Sequence, residues 1–413
     1  MKKIVFSILI LLFLQNIAEA ETSSSEDSSE IKPYLTYRYT VLQPREESVY
    51  KKKLHKDNVD QVYATFRFDR QVNYVNQVVL EPTMRTIRDN PRQYQWLFEQ
   101  AFIDTKISKK LFVTGGKKSE FSGSGFFAQP SNLYQEFKDM FDPLYQNEGI
   151  VFSRLQFRGE NTSFGIGLLP ETGKDRKNGN AMAGITTELL QAEVDLQFKY
   201  NFERERSVTG LSVARFFGEI VEIHFDGSYR NFQKNSNAFI PVTDFDLDGA
   251  DYSGGHYLWR DYSAVEEMDA SGFYLMGTRL VLSPRRTLLA EYITQQNGLL
   301  PEEFERLFGD LKAEQEKSDT NEAVAKIPRN LRGRHYAALS FQDDDTFDGV
   351  HVGVSYVSNL DDKSGYGGMS VKKFFSKATS FEFSPTIFVG KSFTEFGEMP
   401  FAVGYNLLLR GRF

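Results

Sequence analysis

Apolar and polar residues alternate one for one along many stretches of the chain, most clearly over 193–202. There Val194, Leu196, Phe198, Tyr200 and Phe202 take one parity, and Glu193, Asp195, Gln197, Lys199 and Asn201 take the other. Successive side chains of a β-strand point to opposite faces, so this spacing builds a ribbon with an apolar back and a polar front. Leu35, Tyr37, Tyr39 and Val41 alternate in the same way with Thr36, Arg38 and Thr40. So do Val62, Ala64, Phe66 and Phe68 with Tyr63, Thr65, Arg67 and Asp69. Val221, Ile223, Phe225 and Tyr229 oppose Glu222, His224, Asp226, Ser228 and Arg230, and Val350, Val352, Val354 and Tyr356 repeat the rhythm. The chain ends in step, with Tyr405, Leu407, Leu409, Gly411 and Phe413 on one face and Asn406, Leu408, Arg410 and Arg412 on the other.

The connections come in two lengths. Short turns are expected at Ser108-Lys109-Lys110, Gly159-Glu160-Asn161, Phe217-Gly218-Glu219, Ser283-Pro284-Arg285 and Phe375-Ser376-Lys377. Long loops are expected at 43–60, 118–149, 170–180, 231–272 and 298–333. Taking strands of about ten residues, this alternation predicts an all-β chain of about 18 strands with both termini at the short-turn end. Sixteen is the fallback, because 73–80 reads equally as strand or loop. Two loops carry helical spacing. Ser131 is placed to cap a helix with Leu133, Phe137, Met140 and Phe141 on one stripe, and Pro301–Lys317 sets Phe304, Leu307, Phe308 and Leu311 on another. Each stripe is expected to pack against the rest of the fold, with a moving gate as the other reading.

Composition decides what the ribbons face. Met1-Lys2-Lys3, the apolar run 4–14 and Ala18-Glu19-Ala20 have the order of an export signal cleaved after Ala20. The expected organisation is therefore a signal peptide at 1–20, a disordered acidic, serine-rich leader at 21–31 and one domain over 32–413. No later apolar run is long enough for a membrane helix, and the mean hydropathy is negative. A β-barrel shows only alternate residues to lipid and can span while polar on average. Aromatics at 14% suit such a wall, and a net charge of −7 argues against nucleic-acid binding. The absence of cysteine excludes disulfides, thiolate metal sites and a lipid-modified N-terminal cysteine.

The last strand, with Tyr405, Leu407, Leu409 and a terminal Phe413, resembles the closing strand of bacterial outer-membrane β-barrels. That resemblance implies recognition by the barrel-assembly machinery. Gly116-Lys117-Lys118, Gly123-Ser124-Gly125-Phe126-Phe127 and Pro130-Ser131-Asn132 resemble the glycine-rich segments of alginate-export-like porins. Glu291-Tyr292 with Asn297-Gly298, the stretch 359–365 and Thr394-Glu395-Phe396-Gly397 fit the same family. The likeness covers most of 106–413 and implies a loop around 119–147 folded into the barrel. Independently, Gly123 and Gly125 permit a tight backbone path there.

The polar parity predicts the lining of the lumen. It holds Arg38, Arg67, Arg154, Arg158, Lys199 and Arg230, with Arg410 and Arg412, against Asp69, Glu193, Asp195, Glu222 and Asp226. An excess of one sign in a low-dielectric wall concentrates the opposite ion. The two open readings are a preference for anionic solutes, uronate-bearing sugars among them, and a balanced lining that only hydrates the lumen. Asp244, Asp246 and Asp248 before Gly249 match the first half of a calcium loop. Gly255 stands where the closing glutamate belongs, so a solvated acidic loop is the other reading. No further cofactor is implied. Five histidines without paired metal spacing, and no Gly-x-Ser-x-Gly elbow, give little support to catalysis. His224 beside Asp226 is the first suspect for an outer-membrane enzyme, and a plain lumen histidine is the alternative.

The sequence thus points to an outer-membrane channel for small polar, anionic or saccharide solutes, contacting lipid on its outer wall. A structural or adhesive barrel with a plugged lumen is the rival, and oligomeric state is left open. If Phe413 completes the signal for membrane assembly, Phe413→Asp should leave the protein in the periplasm. Cell fractionation checks this, and normal membrane insertion of the variant would contradict the role.

Overall fold

The computed structural model describes residues 29–44, 58–71, 76–87, 93–120, 123–133, 149–170, 179–202, 206–231, 270–317, 333–344, 349–399 and 401–412. Among these, eighteen strands run antiparallel in sequence order. They are β1 (Ser29–Pro44), β2 (Asn58–Gln71), β3 (Asn76–Ile87), β4 (Gln93–Lys106), β5 (Leu111–Lys118) and β6 (Ile150–Arg158). Then come β7 (Thr162–Pro170), β8 (Gly179–Leu189), β9 (Ala192–Asn201), β10 (Arg206–Phe217), β11 (Val221–Asn231) and β12 (Ala270–Ser283). The last are β13 (Arg286–Gln295), β14 (His335–Asp344), β15 (Val350–Asn359), β16 (Gly365–Phe374), β17 (Thr379–Val389) and β18 (Phe401–Arg412).

Each strand pairs with its sequence neighbours, and β1 pairs with β18, so the sheet closes on itself. The seam runs from Tyr34 opposite Arg412 to Val41 opposite Tyr405 and beyond. Tyr405, Leu407 and Leu409 share the outer face there with Val41, Tyr39 and Tyr37, and Tyr405 stacks on Phe383 of β17. Phe413 and the export signal lie outside the described residues. β1 begins at Ser29, three residues before the expected start of the domain.

The parity read from the sequence decides which face is which. Leu196 and Phe198 of β9 are 43% and 44% exposed on the outer wall, while Gln197 between them is 4% exposed inside. Of the stretch left ambiguous at 73–80, the described residues 76–80 open β3, whose Val79 and Thr83 face inward and whose Leu80 faces out. Eighteen strands, not the fallback of sixteen, are the result. The expected short turns are present, and a further one at Leu190-Gln191 went unrecognised. Both its residues have positive φ, 52° and 62°, without the usual Asn-Gly signature of such hairpins.

The helix α1 (Pro301–Lys317) matches the expected span. Leu300 N donates to Glu303 Oε2 at 2.6 Å in its first turn, and Phe304 and Phe308 are buried and stacked. Lys312 reaches Glu398 at 3.7 Å and lies over the ring of Phe393, joining α1 to the β17–β18 loop. The helix expected after Ser131 falls outside the described residues past Leu133, and Ser131–Leu133 themselves form a turn. Among the described residues no helix is long and apolar enough to cross a membrane.

Closure of this kind resists detergent while heat breaks it. Purified protein should therefore migrate differently before and after boiling in detergent, and should give a β-rich circular dichroism spectrum. A helix-rich spectrum would contradict the fold.

Candidate functional site

Strand β11 is polar at every second position on its lumen side, and there it buries Glu222, His224, Asp226 and Ser228 to 6, 1, 0 and 2% exposure. Buried carboxylates require partners, since an unpaired one is costly to desolvate. The partners come from the segment that leaves β5 and turns into the barrel. Asp226 accepts Ser124 N and Gly125 N on Oδ2 at 2.9 and 3.3 Å, and Ser131 N on Oδ1 at 2.6 Å. Glu291 of β13 accepts Phe126 N at 2.7 Å and Phe127 N at 2.9 Å. Ser212 Oγ donates to Ser124 Oγ, and Leu133 N donates to Gln197 Oε1. Two wall carboxylates therefore satisfy five backbone N–H groups that a loop crossing the lumen would otherwise leave unpaired.

Two glycines make the fit possible. Gly123 sits at φ +96°, and a Cβ there would run into the Asp226 carboxylate. A Cβ at Gly210 of β10 would come within 2.7 Å of Ser131 O, so the bare wall lets the loop lie flat. Phe127 and Ala128 then pack on inward-facing apolar residues of the adjoining strands β12, β13 and β14, including Leu275, Ile293 and Ala338. The cluster extends to Tyr366, Phe388, Phe396 and Met399. On the β12–β17 side, then, apolar packing fills part of the barrel interior.

The β5–β11 side is open and charged. A cavity of about 700 Å³ lies there, bounded by the inward loop at Ser119, Glu120 and Ser124. Lys118, Arg154, Arg158 and Arg279 line it together with Glu120, Glu193, Asp195 and Glu222. Arg154 Nη2 bonds Glu120 at 2.9 Å, Lys118 bonds Asp104 at 2.8 Å, and Arg279 pairs with Glu222. Arg158 is different. Its guanidinium bonds the neutral Gln156 Oε1 and lies 4.4 Å from the ring centre of Phe112.

A third cluster binds the long loops together. Glu395 accepts Tyr336 Oη at 2.7 Å and Asn359 Nδ2 at 2.8 Å, while its N–H donates to Asp362 Oδ2. Asn359 Oδ1 accepts Asp361 N, and Ser364 Oγ accepts Phe396 N. The motifs at 359–365 and 394–397 are thus one hydrogen-bonded unit joining the β15–β16 and β17–β18 loops.

No family model matches the chain, and no curated protein sequence matches it. Solved structures do. OccK11 (OpdR) of Pseudomonas aeruginosa superposes with a TM-score of 0.55 at 9% identity, over 93% of this chain and 95% of its own. The outer membrane protein OprD of the same species gives 0.55 at 10% identity, over 95% and 96%. OccAB1 of Acinetobacter baumannii gives 0.52 at 10%, over 95% and 99%. The fold is that of the OprD-type barrels.

Against that fold the residues expected in the lumen separate. Arg154 and Arg158 line the cavity. Lys199 bonds Leu133 O at 3.4 Å at the loop's far end. Arg38 is 7% exposed and bonded to Thr40 and Asn406, and Arg67 lies 3.5 Å from both Asp69 and Glu81. Arg230 faces inward at the long-loop end of β11. Asp244, Asp246 and Asp248 lie outside the described residues. Sequence reasoning missed Glu81, Asp104 and Glu120, which meet basic side chains, and named Glu291 only in the Glu291-Tyr292 motif without assigning it to the lumen. Glu291 was legible, since Tyr292 beside it marks the outer face.

Asp226 accepts three of the five backbone bonds to the wall carboxylates, and bonds to a charged acceptor contribute roughly 1.5–3 kcal/mol each. In Asp226→Asn the Ser124, Gly125 and Ser131 amides should exchange hydrogen at least about tenfold faster. Exchange measured by NMR in detergent checks this, and unchanged protection would contradict the anchoring role.

Proposed function

We propose that the protein is a porin-like channel of the bacterial outer membrane, passing small polar solutes along the β5–β11 wall. The observation that carries this reading is the eccentric cavity, open and charged beside a half-barrel filled with apolar packing. Its size falls within the range of small-molecule sites, roughly 300–1,000 Å³. The outer wall supports a lipid surrounding, with Leu168, Met276 and Leu339 more than half exposed on their strands. The structural neighbours support it as well, OprD being an outer membrane protein. Export through the 1–20 signal, with cleavage after Ala20, and insertion by the barrel-assembly machinery complete the proposal. No catalytic step is assigned.

The solute is proposed to carry an anionic group, with uronate-bearing sugars the first class to try on the strength of the alginate-export-like motifs. Within the cavity the charge is balanced, so the preference rests on which charges are available. Arg154 is bonded to Glu120, whereas Arg158 meets a neutral amide and an aromatic ring. An arginine fork in that setting can meet a carboxylate in bidentate fashion. Screening over about 8 Å confines the effect to groups at the cavity wall. A plugged structural or adhesive barrel is the second reading, favoured by the packing of Phe127, Phe396 and Met399 inside the barrel.

Planar-bilayer recording separates the two. The wild type should form channels whose reversal potential in a potassium chloride gradient shows anion preference. Arg158→Ala should weaken that preference more than Arg154→Ala does. Absence of conductance would move the assignment to the plugged barrel, and cation selectivity would overturn the solute class.

A further inference from the structure

We propose that His224 is a positioning residue that holds the inward loop through Glu291, and that its proton sets how firmly the loop is held. This deepens the channel reading but rests on geometry that exists whether or not the barrel conducts. His224 Nε2 lies 3.0 Å from Glu291 Oε1, and its Nδ1 lies 3.5 Å from Glu222 Oε1 with no hydrogen-bond partner. The imidazole is 1% exposed and the Glu291 side chain 0%. Gly277 of β12 keeps the niche open, for a Cβ there would collide with His224 and Glu291.

The charges around the ring can be counted element by element. On β11 itself stand Glu222 and Asp226, the latter occupied by the loop's Ser124, Gly125 and Ser131 amides. Strand β10 offers Ala214 opposite His224, with Glu193 beyond it on β9. Strand β12 brings Arg279, which pairs with Glu222, and β13 brings Glu291. Among its described residues the loop contributes the Phe126 and Phe127 N–H groups on Glu291 and no charge at this point. With His224 as imidazolium, Glu222 and Glu291 are matched by His224 and Arg279. With neutral imidazole, one more negative charge is left unmatched beneath the loop.

The direction follows from what docking buries. Seating Phe126 and Phe127 on Glu291 takes its carboxylate out of water, which is tolerable beside a cation and costly without one. Loss of the proton therefore makes the docked loop less favourable, and release of 126–127 lets water reach Glu291. Asp226 still holds 124–125 and 131, so the response is confined to the tip rather than the whole loop. The loop should be tightest at low pH and loosen as pH rises through the titration of His224.

The chain has no cysteine, so Phe126→Cys gives a unique site for a nitroxide label, and Phe126 is 54% exposed. Spectra of the labelled barrel in detergent are recorded from mildly acidic to alkaline pH, with gel heat-modifiability confirming the fold of each variant. The mobile fraction should rise reversibly with pH in the otherwise wild-type chain. With His224→Gln it should be high and independent of pH. With Glu291→Gln, which keeps an acceptor but removes the buried charge, it should be low and independent of pH. A flat profile in the parent, or a pH response surviving in His224→Gln, would overturn the inference. If the label responds while no channel conducts, the positioning role stands and the channel reading fails. If the barrel conducts and the label is flat, the channel reading stands and the positioning role fails.

Discussion

Everything in this molecule depends on the pairing of β1 with β18. A sheet with open edges exposes rows of unpaired N–H and C=O groups, which water can satisfy and hydrocarbon cannot. Closing the sheet removes both edges. The seam pairs Tyr37 with Leu409 and Tyr39 with Leu407, so apolar side chains flank the closing bonds on the outer wall. Once closed, the outer and inner faces become chemically separate surfaces, and the period-two sequence can serve both at once.

The inner surface is not uniform, and its unevenness shapes the barrel interior. A loop crossing a water-bearing lumen has to satisfy its own backbone, and here two wall carboxylates do so for one stretch of it. Asp226 and Glu291 stand on β11 and β13, flanking β12, so the loop lies across three adjacent strands. From β12 onward the inward parity changes character. Leu275, Ile293, Ala338 and Val357 replace polar residues, and Phe127 docks there. The charged cavity is what remains on the other side.

The loops at the opposite end from the short turns are braced by the same economy. Glu395 gathers a tyrosine from β14, an asparagine from the end of β15 and, through its own amide, Asp362 of the next loop. Lys312 ties α1 to the same region through Glu398. Hydrogen bonds to a buried carboxylate resist competition from water, so these connections hold long loops in place where the strand ladder has ended.

The sequence by itself determined the barrel. Alternation over 193–202 and 221–230 fixes which side chains face outward and which face the lumen, because parity is a local property of a strand. The span of α1 was likewise legible in the spacing of Phe304 and Phe308. The sequence was silent where local signals were weak, as at the Leu190-Gln191 turn and the ambiguous stretch that became β3. It left open whether the lumen carries an excess of cations or a balanced lining. Glu81 meets Arg67 from another strand, and Glu120 meets Arg154 from the loop. Partners brought together by register and loop path are separated along the chain, as His224 is from Glu291. Their meeting is a property of the closed barrel, and only the tertiary structure decides it.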